Sequence, residues 1–271
     1  MTAKREELIE ELHAETDSLV ELLNNLSADD FATQTPAPGW NIADQLAHLT
    51  FYDRAATQAI LDPASFASWL ARSLNDRSSL DDGQDLVAAL APAELVRQFL
   101  EARGAYVAAA RSFPNARIAW FGPPLSTNSM TTARLMETFA HGADIRDALG
   151  EPIMFFERHL EVVFLGYKTI GFSFRNRGLE PPQGDIEILV SMSDGSTRSF
   201  GSASIDPEGR MNRVAGSLGD IAMLVVQRRN LADLDISVSG SDARRWVEIA
   251  QAYAGPPGGG RPPQAADPAS L

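Results

Sequence analysis

Glu137, His141 and Asp144 stand four and then three residues apart. At about 100° per residue, a helix would project all three side chains from one face. Carboxylate and imidazole are ligands for divalent ions and also groups that move protons. Ala133, Ala140 and Ala148 border that face and leave room for an ion or a small ligand, while Leu135 and Phe139 lie on another side. The same spacing also suits a solvated helix face carrying one i,i+4 Glu–His pair. His48 adds a third group. It sits in NIADQLAHLTFYDRA with Tyr52 and Ala55 on its face and Leu46 and Leu49 close by, so it should be substantially buried. Taken singly, it reads equally well as a neutral core histidine bonded to a carbonyl. Combined with an i,i+4 pair from another helix of a bundle, it completes the kind of set from which metal sites are made. Two imidazoles and one carboxylate suit Zn²⁺ and other late divalent ions and leave a position open for water or substrate.

The elements that must position these groups are readable from periodicity and punctuation. Residues 3–26 carry Leu8, Leu12, Leu19, Leu22 and Leu23 at helical spacing. TQTPAPGW (33–40) must break that helix. A second helix is expected from an Asn41 N-cap, with Asp44 at the third helical position, to about Leu61, where Pro63 stops it. Shorter helical matter should follow at 64–73, then a surface loop over the polar run 73–85. A third long helix fits 92–112 with Pro92 in its first turn, followed by a loop at 113–129. The helix bearing Glu137, His141 and Asp144 should run over about 130–149 and end at Gly150. A further helix at about 156–171 leads out of the bundle. Beyond Pro181–Pro182 the pattern changes. Strands are expected at 185–193, 197–205, 211–216 and 234–239, with an Asp194-Gly195 hairpin, and helices at 218–229 and 242–253. The boundary is placed at 172–184, giving domains 1–172 and 181–254. The Gly- and Pro-rich tail 255–271 is expected to be disordered.

Composition narrows the chemistry. In 271 residues, acidic side chains outnumber Lys plus Arg by 36 to 23, a net charge of -13, which argues against nucleic acid as a partner. No segment approaches the ~20 apolar residues of a membrane helix, and the polar start MTAKREELIEELHAE lacks a signal core. A cytoplasmic protein is expected. There is no cysteine, so disulfides, thiolate metal ligands and a thiol nucleophile of the chain's own are excluded. A metal must be held by His, Asp or Glu, and the histidines are four: His13, His48, His141 and His159.

Two runs carry a resemblance. Gly39-Trp40-Asn41-Ile42-Ala43-Asp44-Gln45-Leu46-Ala47-His48-Leu49 and Arg134-Leu135-Met136-Glu137-Thr138-Phe139-Ala140-His141-Gly142-Ala143-Asp144 resemble, in order, the second- and fourth-helix signatures of the mycothiol-dependent maleylpyruvate isomerase family, within the DinB-like metal-binding superfamily. The likeness spans about 5–150. It implies an α+β protein: a DinB-like four-helix bundle carrying one divalent metal, usually zinc, followed by a small α+β domain resembling sterol carrier proteins. The ligands carried over are His48, Glu137 and His141, with Asp144 behind them holding a ligand histidine or water. The second domain of such proteins typically ends a helix with a functional arginine. The closest match is LVVQRRN, which points to Arg228 with Arg229 as the other candidate. The family's usual glycine before it is Gln227 here.

The resemblance implies a metal-dependent isomerase or transferase in which mycothiol, a low-molecular-weight thiol, acts on a small electrophilic acid. The missing cysteine fits a thiol supplied from outside. Arg228 would bind a carboxylate of substrate or cofactor across an interdomain cleft. The run Trp120-Phe121-Gly122-Pro123-Pro124 would either wall the site or serve as a rigid connector. The alternatives are a non-catalytic metal-containing protein that binds an apolar ligand, and a metal-dependent hydrolase using the same water. The substrate, the metal's identity and the assembly, a homodimer included, stay open at this stage.

Overall fold

The computed structural model describes residues 2–75, 78–113 and 117–264. The chain divides into two compact units, Met1–Ile153 and Met154–Leu271. That division lies earlier than the expected boundary at 172–184, because the helices after residue 159 pack with the second unit's own elements.

In the first unit, α1 (Thr2–Leu23) buries Leu8, Leu12, Leu19 and Leu23. The prolines of 33–40 then turn the chain, and α2 (Ile42–Leu61) starts on a capping box. Asn41 Oδ1 accepts from the Asp44 N–H at 3.0 Å, while the Asp44 carboxylate accepts from the Asn41 N–H at 2.8 Å. Next come α3 (Pro63–Asn75) and α4 (Ser78–Ala88). The second corrects the expected loop over 73–85. This stretch has too few apolar residues to show a period, but Val87 is buried, and Gly83 lets α4 approach α2 closely. A Cβ at Gly83 would lie 2.5 Å from the Phe51 ring. Helix α5 (Pro92–Ser112) begins on Pro92 as expected. A two-stranded pair, β1 (Arg117–Ile118) and β2 (Leu125–Ser126), interrupts the expected loop. Then α6 (Thr127–Leu149) ends on Gly150 with φ of 69°.

Helices α1, α2, α5 and α6 pack against one another. Leu19, Leu23, Ile42, Leu46, Leu49, Leu95, Phe99 and Ile145 form their shared core. Each such side chain contributes about 1.5–3 kcal/mol on burial. Helix α6 is buried around most of its circumference, which rules out a solvated face for Glu137, His141 and Asp144.

The second unit contains α7 (Leu160–Lys168) and α8 (Ile170–Arg175), preceded by a 3-10 turn at Glu157–His159. His159 is buried and its Nδ1 accepts from the Phe156 N–H at 3.1 Å, a capping role that accounts for this histidine. Strands β3 (Glu187–Ser191), β4 (Thr197–Phe200), β5 (Arg213–Ser217) and β6 (Ile236–Ser239) form one sheet in the order β4-β3-β5-β6. The β3–β4 hairpin is antiparallel and β3–β5 parallel. Helices α9 (Leu218–Val225) and α10 (Ser241–Val247) complete it. The family-like expectation of helices first and a small α+β unit second is met. Within the expected disordered tail, residues 255–264 are tied down. Asn176 donates to Gly255 O, Arg177 to Gly258 O and Asn230 to Arg261 O, while the Gln264 N–H donates to Asp233. Residues 265–271 of that tail lie outside the described residues.

No helix among the described residues is long and apolar enough to cross a membrane.

Candidate metal centre

Helices α2 and α6 bring His48, Glu137 and His141 together, and one ligand atom from each lies within 4.8 Å of the others. Nε2 of His141 stands 3.2 Å from Glu137 Oε2, and Nε2 of His48 stands 3.6 Å from the same oxygen. Ligands held at 2.0–2.1 Å around a tetrahedral ion are about 3.3 Å apart, so these separations are those of a set converging on one point.

The far side of each ring decides which nitrogen faces that point. Thr35 Oγ1 donates to Trp40 O at 2.7 Å and therefore accepts from Gln45 Nε2 at 2.8 Å. This turns Gln45 Oε1 toward His141 Nδ1, which must donate to it. His48 Nδ1 meets Gln84 Oε1 at 2.7 Å and donates to that amide oxygen. With hydrogens on both Nδ1 atoms, each neutral ring presents a lone pair at Nε2 toward a carboxylate oxygen that also only accepts. Two lone pairs and a carboxylate facing one another call for a cation between them, so the donor set fits a late divalent ion. Gln45 and Gln84 thus orient the two histidines from behind. Asp144 itself is buried on α6, one turn beyond His141. The sequence reading did not single out either glutamine. Gln45 carried a faint signal, a polar residue one turn before His48 on the core face. Gln84 carried none.

Burial alone would raise the Glu137 carboxyl. Without an ion to take the two lone pairs, His141 and His48 would have to be protonated at Nε2 to donate to Glu137, and together with the charge of Arg134 they would outweigh burial and hold the group well below the usual carboxylate value. Beneath the triad lies a buried polar assembly. Arg103 on α5 donates from Nε to Asp53 Oδ2 on α2 at 2.7 Å, from Nη1 to Thr16 Oγ1 on α1 at 2.5 Å and from Nη2 to Thr138 Oγ1 on α6 at 2.9 Å. One guanidinium therefore ties all four bundle helices. Arg134 lies between the two carboxylates, its Nη1 3.7 Å from Asp53 Oδ1 and its Nη2 3.7 Å from Glu137 Oε1.

Aromatic rings enclose the triad. Trp40 stacks over His141 with centroids 5.8 Å apart and lies 5.1 Å from the His48 ring, while Tyr52 lies 4.5 Å from His48 on another side. Phe121 and Trp120 reach Tyr52 at 5.3 and 6.2 Å. Part of the run 120–124 is thereby placed behind Tyr52, and Trp120 also stacks on Phe66.

The sequence pattern of the mycothiol maleylpyruvate isomerase N-terminal domain matches residues 12–146, which hold the whole triad. The chain belongs to this family. Maleylpyruvate isomerase structures share its fold: a crystal structure of the mycothiol-dependent enzyme superposes with a TM-score of 0.58 at 14% identity, covering 83% of this chain and 89% of that one. A histidine-to-alanine mutant of the mycothiol-dependent enzyme gives 0.60 at 13% identity, covering 86% and 92%. A Mycobacterium tuberculosis protein described as uncharacterised, from strains H37Rv and CDC 1551, is 43% identical over 255 residues, spanning 93% of this chain and 97% of its own.

Arg228 and Arg229, the candidates carried over from the isomerase family, lie in the second unit just after α9. Gln227 adopts φ of 58°. The Gln227 N–H donates to Leu224 O at 3.0 Å and the Arg228 N–H to Met223 O at 3.0 Å, which is the Schellman pattern. Position 227 is thus a left-handed site where glycine is favoured. Gln227 is held there by its own side chain, donating to Ala250 O at 2.9 Å and accepting from Tyr253 Oη at 2.7 Å. Arg228 Nη1 donates to Val226 O, and Arg229 lines a separate cavity of about 450 Å³ with Arg177 and Arg261.

Proposed function

We propose that the protein is a divalent-metal-dependent enzyme that uses a low-molecular-weight thiol such as mycothiol to isomerise, or transfer to, a small electrophilic acid. The observation that carries this reading is the convergence of His48, Glu137 and His141 within 4.8 Å, in a chain of the mycothiol-dependent isomerase family. These three side chains would hold the ion, zinc being the best match to two imidazoles and a carboxylate. A divalent ion there would lower the pKa of a bound thiol or water and so supply a nucleophile near neutral pH. Gln45 and Gln84 keep the two Nε2 lone pairs aimed inward, while Trp40 and Tyr52 cover the triad and limit water. With no cysteine in the chain, the sulfur must arrive with a cofactor. Arg228 is the group we assign to a substrate or cofactor carboxylate, and to Asp144 we assign the holding of a ligand histidine or a water.

Elemental analysis of protein purified without added metal, and again after reconstitution with zinc, tests the first premise. An open three-ligand site retains a late divalent ion, so less than about 0.2 ion per chain after reconstitution would refute it. His48→Ala and His141→Ala should each lose the ion, and retention by both would refute the ligand set. The loaded protein is then assayed on a cis-unsaturated dicarboxylate with and without mycothiol. Turnover only with thiol supports the proposal. Ester or amide cleavage without thiol would replace it with a hydrolase, and a bound ion with a co-purified lipid and no turnover would replace it with a ligand-binding role. Arg228→Ala should raise KM for the acid more than it lowers metal content.

A further inference from the structure

Glu137 offers its two oxygens to different partners. Oε2 faces Nε2 of both histidines, whereas Oε1 faces Nη2 of Arg134 at 3.7 Å. Arg134 is almost wholly buried, and its Nε and Nη1 have no hydrogen-bond partner. It has little freedom to leave this position. Its other edge lies against Asp53, which Arg103 anchors, and its guanidinium carbon lies 5.8 and 5.9 Å from the Tyr52 and Trp120 rings. A carboxylate may bind an ion through one oxygen or both, and the second oxygen takes a position that an incoming ligand would otherwise use.

We propose that Arg134 is a positioning residue that reserves Glu137 Oε1 for itself and leaves only Oε2 for the ion, which keeps one position free for an exogenous thiol or substrate. The inference rests on the metal-dependent reading above. It goes beyond that reading by assigning an open position to a residue that touches neither ion nor substrate. Arg103 and Asp53 serve the same end at one remove, since they fix where the Arg134 guanidinium stands relative to α2 and α6.

The test uses the full chain loaded with Co²⁺ in place of zinc, because cobalt's visible absorption weakens as coordination number rises. The parent should show the strong band of a four-coordinate ion. In Arg134→Gln the band should weaken as Glu137 Oε1 joins the ion, and zinc affinity measured by chelator competition should rise about tenfold or more, because a repelling buried charge is gone and a ligand oxygen is gained. Arg134→Lys, which keeps the charge, should return both most of the way to the parent's values. An Arg134→Gln protein with the parent's spectrum and affinity would overturn the proposal, as would a weaker affinity or a change that lysine does not reverse, since those would reflect packing rather than charge. The parent also provides a measurement independent of whether a variant folds. Infrared difference spectra on zinc loading, with ¹³C-labelled glutamate, should show the wide carboxylate splitting of one-oxygen binding, and a narrow splitting would overturn the proposal. A parent that binds neither ion removes the metal reading and this one together, whereas normal binding with an unchanged variant removes this one alone.

Discussion

Nδ1 of His48 on α2 meets Oε1 of Gln84 on α4 at 2.7 Å, across 36 residues of chain. The contact fixes the ring's tautomer from outside the four bundle helices, and Gln45 does the same for His141 from within them. Removing either amide frees a ligand ring to turn or to exchange its proton. Gln84→Ala and Gln45→Ala should each lower zinc affinity about ten- to a hundredfold in chelator competition. Urea unfolding should separate the two. Gln84 is half-buried and its loss should change stability little. Gln45 is fully buried, and its removal leaves Thr35 and His141 short of a partner, at a cost of about 1–3 kcal/mol.

Arg103 and Asp53 form a fully buried ion pair. Truncating the cation leaves Asp53 charged among helices, with only Arg134 nearby and not within hydrogen-bond distance. Arg103→Met should destabilise the first unit by about 3–5 kcal/mol in urea titration. Adding Asp53→Leu should recover much of that loss, because the double variant buries no unpaired charge. Equal losses in the single and double variants would show that the threonine contacts of Arg103, rather than its charge pairing, dominate.

Asp206 gives the second unit an acid limb. Burial opposes its charge, but N–H groups of Arg210 and Ser241 and the Arg210 guanidinium prevail and lower its pKa from 3.8 to about 2. A folded-state pKa below the unfolded one stabilises the fold in full above the unfolded value and loses that contribution as pH falls through the folded value. Asp206→Asn should therefore be less stable than the parent at pH 7, and the gap should close as pH falls from about 4 to 2. Urea midpoints at pH 7, 4, 3 and 2 measure it, and a gap that widens in acid would contradict the assignment.

Gln227 pays a backbone cost that glycine would not, and offsets it with two side-chain hydrogen bonds. Gln227→Ala keeps the strain and loses both bonds, so it should cost about 1–3 kcal/mol. Gln227→Gly loses the bonds but relieves about 1–2 kcal/mol of strain. Thermal unfolding should rank the parent above Gly and Gly above Ala. A glycine variant less stable than the alanine one would place the backbone outside the left-handed region.

What the sequence determined by itself was whatever local geometry dictates. The four-residue spacing of Glu137 and His141 is one turn of any helix, and Asn41 with Asp44 makes a capping box wherever a helix starts there. Pro92 and Gly150 mark helix ends through fixed or permissive dihedrals. His48, Glu137 and His141 were therefore legible as one set before any fold was drawn. Tertiary structure decided the rest, because it depends on which faces meet across long stretches of chain. Helix α4 was hidden in a polar run, since its stability comes from lying against α2 and not from a periodic apolar face. Gln84, carried on that helix, could not be connected to His48 without it. Asp53, Arg103 and Arg134 are charges on three helices far apart in the chain, and nothing in their spacing pairs them. Only packing brings them together under Glu137, where burial makes their pairing obligatory and their positions specific.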